Sequence, residues 1–302
     1  MVAYWENDSV NAIERWLIGS LMSLCDADSV HPEIHRNKEN MSFKSLIRES
    51  ISRFIGLDVR RMKSPTQTYW DALLLLHGDS AKSDDIESEF QAFCRTNFLR
   101  SKGQLFQDLF VLHETQEMRA GYFVEFGATN GIDLSNTYLL ETEYGWHGIL
   151  AEPARVWSDA LANNRTSMID YRCVTDHTGD TVRFNETEVG ELSTIDSLSS
   201  RDMHSASRRS GTRYDVTTVS LNDMLEAYDA PKEFDYLSID TEGSEYNILS
   251  ALDFDRFRPR IITVEHNFVQ ETRDKLHTLL IGQGYRRKFE TLSQFDDWYV
   301  AI

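Results

Sequence analysis

Apolar positions along the chain fall into two regimes. Over the first hundred residues they recur at helical spacing: Ala12, Trp16 and Leu17, then Phe43, Leu46 and Ile47, then Trp70, Leu73 and Leu74. The spacing predicts a helical accessory region over 1–100, with the polar stretches 29–40 and 77–85 as loops. From about residue 101 short apolar runs alternate with helix-like segments, the pattern of a parallel sheet covered by helices. Strands are expected at 122–126, 148–152, 168–174, 235–239 and 260–265, and two more at 285–290 and 295–302, joined by a short turn. Pro153 opens one helix and Gly243-Ser244 opens another, with Glu245 in its first turn. The expected fold is therefore an α/β domain over 101–302, a seven-stranded sheet with a terminal antiparallel hairpin, behind a helical extension.

Composition narrows the partners. The chain has 302 residues, 41% hydrophobic and 26% charged, with 5 prolines and 15 glycines, which excludes a disordered or low-complexity architecture. The formal charge is -18, a field that repels a polyanion, so no nucleic-acid partner is expected. The acidity is concentrated: residues 1–100 hold 12 basic and 15 acidic side chains, and the remainder holds 19 and 34. Cys25, Cys94 and Cys173 are far apart and outside any metal-binding spacing, which argues against a disulfide framework or zinc site. The opening residues lack a signal-peptide pattern and no apolar run is long enough to cross a bilayer, so a cytoplasmic protein without a membrane span is expected. Nothing in the sequence sets an oligomeric state.

The stretch FVEFGATNGIDLSNTYLLE (123–141) carries a strand into a glycine-containing loop and then a helix. Gly127 permits a sharp turn and close ligand approach, and the following helix start offers N–H groups to a carboxylate or phosphate. A tight turn of purely structural use has the same pattern. Glu152 ends the second strand, 25 residues past Gly127, where α/β nucleotide sites place an acid against ribose hydroxyls. The fourth strand ends in SIDTEGSE (238–245), with Asp240 at the carboxyl edge and Glu242 and Glu245 behind it. The fifth ends in VEHN, bringing Glu265, His266 and Asn267 to the same edge. Glu245 alone is also accounted for as a helix-start acid.

In this order VEFGATNG, SNTYLLE, GILAEP, LSIDTEGSE, TVEHN and FDDWY resemble the FkbM-type methyltransferases, a branch of the class I S-adenosylmethionine-dependent enzymes with a Rossmann-like sheet. The resemblance covers roughly 101–302, and GQLFQDLFVL (103–112) is similar to the segment that precedes the fold in that family. One departure is Thr129 at the position of the middle glycine of the general class I loop.

The resemblance implies a pocket for S-adenosylmethionine. Gly127, Thr129, Asn130 and Gly131 would cradle its aminocarboxylate, and Glu125 would support that loop or the amino group. Glu152 would hold the ribose diol, Cys173 with Val174 would border the adenine, Asp240 would sit beneath the sulfonium, and Ser135 and Asn136 would add contacts. A hydroxyl nucleophile needs a base. His266 is the first candidate and Asp240 the second, while Asp240 with Glu242 or Glu265 could instead hold a divalent cation, magnesium or manganese, that acidifies a substrate diol. The family points to O-methylation of a sugar or oligosaccharide acceptor, with a non-sugar hydroxyl as the alternative. Arg208 and Arg209, with Arg201 and Arg213, lie in an insertion at 199–216 and form either a basic lid that clamps an anionic acceptor or a solvated loop. Two other classes share the glycine turn and the strand-end acid: a non-catalytic binding protein and a nicotinamide-dependent oxidoreductase.

Overall fold

The computed structural model describes residues 86–187, 190–199 and 208–302. Residues 1–85 of the helical region expected over 1–100, with its loops, and Arg201 lie outside the described residues. Seven strands form the main sheet: β1 (Tyr122–Phe126), β2 (His147–Ala151), β3 (Met168–Asp170), β8 (Glu233–Ile239), β9 (Arg258–Glu265), β10 (Tyr285–Lys288) and β11 (Asp296–Ala301). Their spatial order is β10-β11-β9-β8-β1-β2-β3. β1, β2, β3, β8 and β9 run parallel, while β11 is antiparallel to both β9 and β10. The order reverses beside β1, between β8 and β2, and ligands of open parallel sheets bind at the carboxyl edge of such a point.

The strands are apolar on both faces, as burial on both sides requires. Tyr122, Val124 and Phe126 of β1, with Leu237 and Ile239 of β8, pack under helices α5 (Leu221–Ala227), α6 (Glu245–Ala251) and α7 (Gln270–Gly282). Phe123, Leu150, Tyr236, Ile261 and Trp298 pack on the other face under α2 (Gln107–Glu114) and α3 (Tyr138–Tyr144). Helix α1 (Ile86–Asn97) joins this second layer. Its Phe90 stacks on Phe289 at 4.7 Å, and Phe110 of α2 stacks on Trp298 at 4.8 Å. The side-chain period of 2 has a consequence at the carboxyl edge. Glu125, Ser238, Glu265 and Asp296 fall on the same side as Phe123, Tyr236, Ile261 and Trp298, under α2 and α3.

The run expected as a third strand over 168–174 is two strands. β3 stays in the main sheet, whereas β4 (Cys173–Thr175) pairs with β7 (Thr212–Ser220) in a separate four-stranded sheet ordered β4-β7-β5-β6. The bend has a local cause: the buried Asp170 carboxylate accepts the Arg172 N–H at 2.9 Å and its guanidinium at 2.6 Å, a self-contained turn that ends the strand. β5 (Thr181–Glu186) and β6 (Thr194–Ile195) complete this small sheet. Part of the expected basic lid is thus strand, with Arg213 of β7 paired to Asp196 at 2.7 Å. After Pro153 a single 3-10 turn, Arg155–Trp157, precedes helix α4 (Ser158–Asn164). Among the described residues no helix is long and apolar enough to cross a membrane.

Candidate functional site

The loop after β1 is fixed by the acid at the end of that strand. Glu125 is buried, and its carboxylate accepts the Asn136 N–H at 2.6 Å, the Ser135 hydroxyl at 3.0 Å and the Thr137 hydroxyl, with the Arg165 guanidinium at 3.6 Å. These bonds fold 127–137 back against the strand. At Gly127, φ is +73° and a Cβ would lie 2.2 Å from the Asp240 carbonyl oxygen, so only glycine lets the loop lie against the end of β8. Gly131 has φ +80° and is closed on by the Arg165 side chain, 2.6 Å from where a Cβ would stand. Thr129 also adopts a left-handed φ, 46°, so the position that departs from the family's glycine keeps glycine-like backbone. Asn130 caps the loop, its side-chain oxygen accepting the N–H groups of Ile132 and Asp133 at 2.9 Å each.

Glu152 closes this cradle from the second strand. One carboxylate oxygen accepts the Thr129 N–H at 2.9 Å and the other the Ala154 N–H at 2.8 Å. Burial pushes its pKa up to about 7, and Cys173 lies close enough to feel its charge, the thiol being raised to about 12 mainly by its own burial. Asn136 donates to the Ser238 hydroxyl at 2.9 Å, while its side-chain oxygen is buried without a partner. A buried acceptor left in that state is costly in isolation and marks where a donor belongs.

A second cluster stands at the ends of β8, β9 and β11. Asp240, Glu242 and Glu265 each present an oxygen within 4.8 Å of the others. Asn267 donates one amide to Glu242 at 3.0 Å and to Glu265 at 2.8 Å, and Gln107 of α2 donates to Asp296 at 2.7 Å. Burial first, then the charges of Asp296 and Glu245, lifts Asp240 to about 7; burial lifts Asp296 to about 7 and Glu265 well above the ordinary carboxylate range. Glu245 is a helix-start acid, bonded to the N–H groups of Thr241 and Gly243 at 3.1 and 2.8 Å.

The candidate residues separate into groups. Glu125, Gly127, Thr129, Asn130, Gly131, Ser135, Asn136 and Glu152 are joined by the loop's own hydrogen bonds and close packing. Asp240 and Glu242 belong to the carboxylate centre. His266 is buried and its ring is engaged on both sides: Nδ1 accepts the Phe268 N–H at 3.1 Å, and Nε2 is 3.2 Å from the Asp296 carbonyl. Both ring nitrogens thus have partners within the chain, and burial lowers the ring's pKa. Its work is to brace a corner in which Asn267 and Phe268 both take left-handed backbone, at φ 48° and 57°. That corner aims the Asn267 amide at the carboxylates, while the Phe268 side chain, 58% exposed, meets Phe295 edge-on at 6.2 Å. Arg208 and Arg209 do not act as a pair: Arg208 is buried with Glu242 at 2.7 Å, and Arg209 is exposed.

Sequence reasoning missed Gln107, Arg165 and Asp296 as members of the site. The signal for Asp296 was present, since the alternation in FDDWY puts it on the face of Trp298. No comparable local signal marks Gln107 or Arg165.

A glycine-cradled loop, an acid at the end of the second strand and a crowd of carboxylates at the fourth and fifth match the layout of one group of enzymes. The family model described as the methyltransferase FkbM domain matches residues 125–298. The chain belongs to the FkbM methyltransferase family. Membership makes it an enzyme of methyl transfer and implies S-adenosylmethionine as donor. Among solved structures, a methyltransferase FkbM from Methylobacillus flagellatus aligns over 86% of this chain and 71% of its own, at 11% identity and TM-score 0.42. A precorrin-6y C5,15-methyltransferase from Geobacter metallireducens aligns over 64% of this chain and 85% of its own, at 11% identity and TM-score 0.36. No curated protein sequence matches.

The residues of this FkbM chain fit the methyl donor. Asn136 has a buried side-chain oxygen without a partner, Glu152 retains lone pairs beside the glycine loop, and the raised carboxylates of the centre would gain from a positive charge. They do not fit a divalent cation in the same way. One oxygen of Glu242 already carries the Arg208 guanidinium at 2.7 Å and the Asn267 amide at 3.0 Å, so a cation there would meet a positive charge.

Proposed function

We propose that this enzyme methylates a hydroxyl of a carbohydrate-like acceptor, with Asp240 taking the proton. The observation that carries the reading is the gathering of Asp240, Glu265 and Asp296, all with raised pKa values, with Asp240 packed against the glycine turn at 127. Carboxylates are crowded out of water at a cost unless a cationic ligand offsets it. When bound, S-adenosylmethionine supplies an electrophilic methyl on a positively charged sulfur.

The chain's own residues then have three tasks. The loop 127–131 and Glu152 fix the donor's ends, which sets the line of approach; alignment of this kind is worth on the order of 7–11 kcal/mol. Asp240, half-buried, accepts the acceptor O–H proton as the new C–O bond forms and the C–S bond breaks, its electron pair leaving with sulfur. A base with a pKa near the working pH contributes roughly 10²–10⁴-fold. The exposed Phe268 ring offers a flat apolar surface beside the carboxylates, suited to the C–H face of a sugar ring.

The test is transfer of labelled methyl from S-adenosylmethionine to a panel of methyl glycosides, with simple alcohols and phenols alongside. Label in the glycosides that falls by at least two orders of magnitude in Asp240→Asn supports the reading. Label only in the phenols or alcohols replaces the carbohydrate by a non-sugar hydroxyl, and undiminished label in Asp240→Asn removes Asp240 as the base.

A further inference from the structure

Arg208, in the insertion between β3 and β8, reaches into the carboxylate centre. We infer that Arg208 is an internal counter-ion of the Asp240, Glu242 and Glu265 centre, occupying the coordination space of a divalent cation, so that this methyltransferase works on its carboxylates without a metal ion.

Three carboxylate oxygens within 4.8 Å of one another have the span of a shared ion, whose oxygen ligands stand about 2.0–2.6 Å away. That space is contested. Arg208 Nη2 bonds Glu242 Oε2 at 2.7 Å, and Asn267 Nδ2 bonds the same oxygen at 3.0 Å while reaching Glu265 Oε2 at 2.8 Å. Two donors thus converge on Glu242 Oε2, and an ion at the centre would have to compete with them for that carboxylate and would meet the charge of the guanidinium. Two carboxylates, Asp240 and Glu265, would remain as ligands.

Arg208 is fixed in place from several directions. Its Nε donates to the Leu192 carbonyl at 2.7 Å, and its own carbonyl accepts the Asn185 amide of β5 at 2.8 Å. Thr194 of β6 donates to the Glu242 carbonyl at 3.0 Å, so the small sheet grips both members of the ion pair. Glu242 is itself held in left-handed backbone, φ 59°, which turns its side chain back toward the insertion. The guanidinium is buried. Being planar and weakly hydrated, it is the side-chain cation least penalised by such a position. Arg208 is therefore a positioning residue that sets how many negative charges the centre presents to a ligand.

The test uses the full chain and manganese(II), followed by the free-ion electron paramagnetic resonance signal. The wild type is expected to leave the signal undiminished with the ion in excess. Arg208→Met, or Arg208→Gln where an amide preserves folding better, is expected to gain a site that disappears again on adding Glu265→Gln. The gain should also appear as thermal stabilisation by manganese in the variant alone. Stoichiometric uptake by the wild type, abolished by Glu265→Gln, overturns the inference, as does a folded Arg208 variant that gains nothing. If neither variant folds, the wild-type titration decides. S-adenosylmethionine binding is measured in a separate titration: a silent result there removes the proposed reaction, while the manganese result still decides the occupancy of the centre.

Discussion

Glu125 and Glu265 sit on the same face of one sheet, with β8 between their strands, and both are buried, yet their surroundings differ in kind. Glu125 is surrounded by donors of its own chain, from Ser135, Asn136, Thr137 and Arg165, and holds a loop in shape. Glu265 has the Asn267 amide and a hydrogen bond shared with Asp240, and burial first, then the charges of Asp240, Glu242, Glu245 and Asp296, raise its pKa. A carboxylate with its own donors is architecture. A carboxylate crowded by its own kind is held in readiness for a positive ligand, and the cost of holding it is met by the packed sheet beneath.

The contrast can be broken at either end. The largest effect belongs to Gly127→Val, which drives a side chain into the Asp240 carbonyl and joins the two regions in one lesion; calorimetry should show no S-adenosylmethionine binding at all. Next is Arg165→Met on the architectural side. It leaves Glu125 and Glu141 buried without their shared cation and should cost about 3–5 kcal/mol in denaturant unfolding. On the ligand side, Asp240→Asn should lower kcat by roughly 10²–10⁴-fold and also weaken donor binding, because the centre loses a carboxylate that the donor's positive charge would ionise.

A pH series sharpens the distinction. The acids Asp240, Asp296 and Glu152 have folded pKa values of about 7, above their unfolded values near 4. The native state therefore binds more protons than the unfolded one in this window. Stability of the unliganded protein falls as pH rises from about 4 through 7. The donor reverses the trend by favouring the ionised forms, so its thermal stabilisation should grow between pH 6 and 8; a flat response in both states would deny that these acids form one responsive centre. The smallest effect is that of Phe268→Ala, which should raise the acceptor KM several-fold and leave donor binding alone.

Much of this division was legible in the sequence. The strand-loop-helix at 122–144 follows from an apolar run ending in Glu-x-Gly, and the acids of LSIDTEGSE and TVEHN reach the edge because two adjacent strands end there. The sequence places His266 at the right edge but carries no signal for its ring nitrogens, which the turn at 266–269 and the strand start at 296 engage. Arg208 looked like part of a solvent-facing lid because its partner, Glu242, is 34 positions away and the β5–β7 pairing that brings them together is non-local. The split of 168–174 turned on one side chain, Asp170, bonding Arg172 two residues on.

The central claim is that carboxylates kept partly protonated in the unliganded protein ionise on meeting a cationic methyl donor. Titration calorimetry of the wild type with S-adenosylmethionine at pH 7, in buffers of different ionisation enthalpy, tests it most directly. The account predicts binding of one donor per chain with net release of protons, and smaller release with S-adenosylhomocysteine, which lacks the sulfonium charge. Binding with no buffer dependence, or no heat at all, would contradict it.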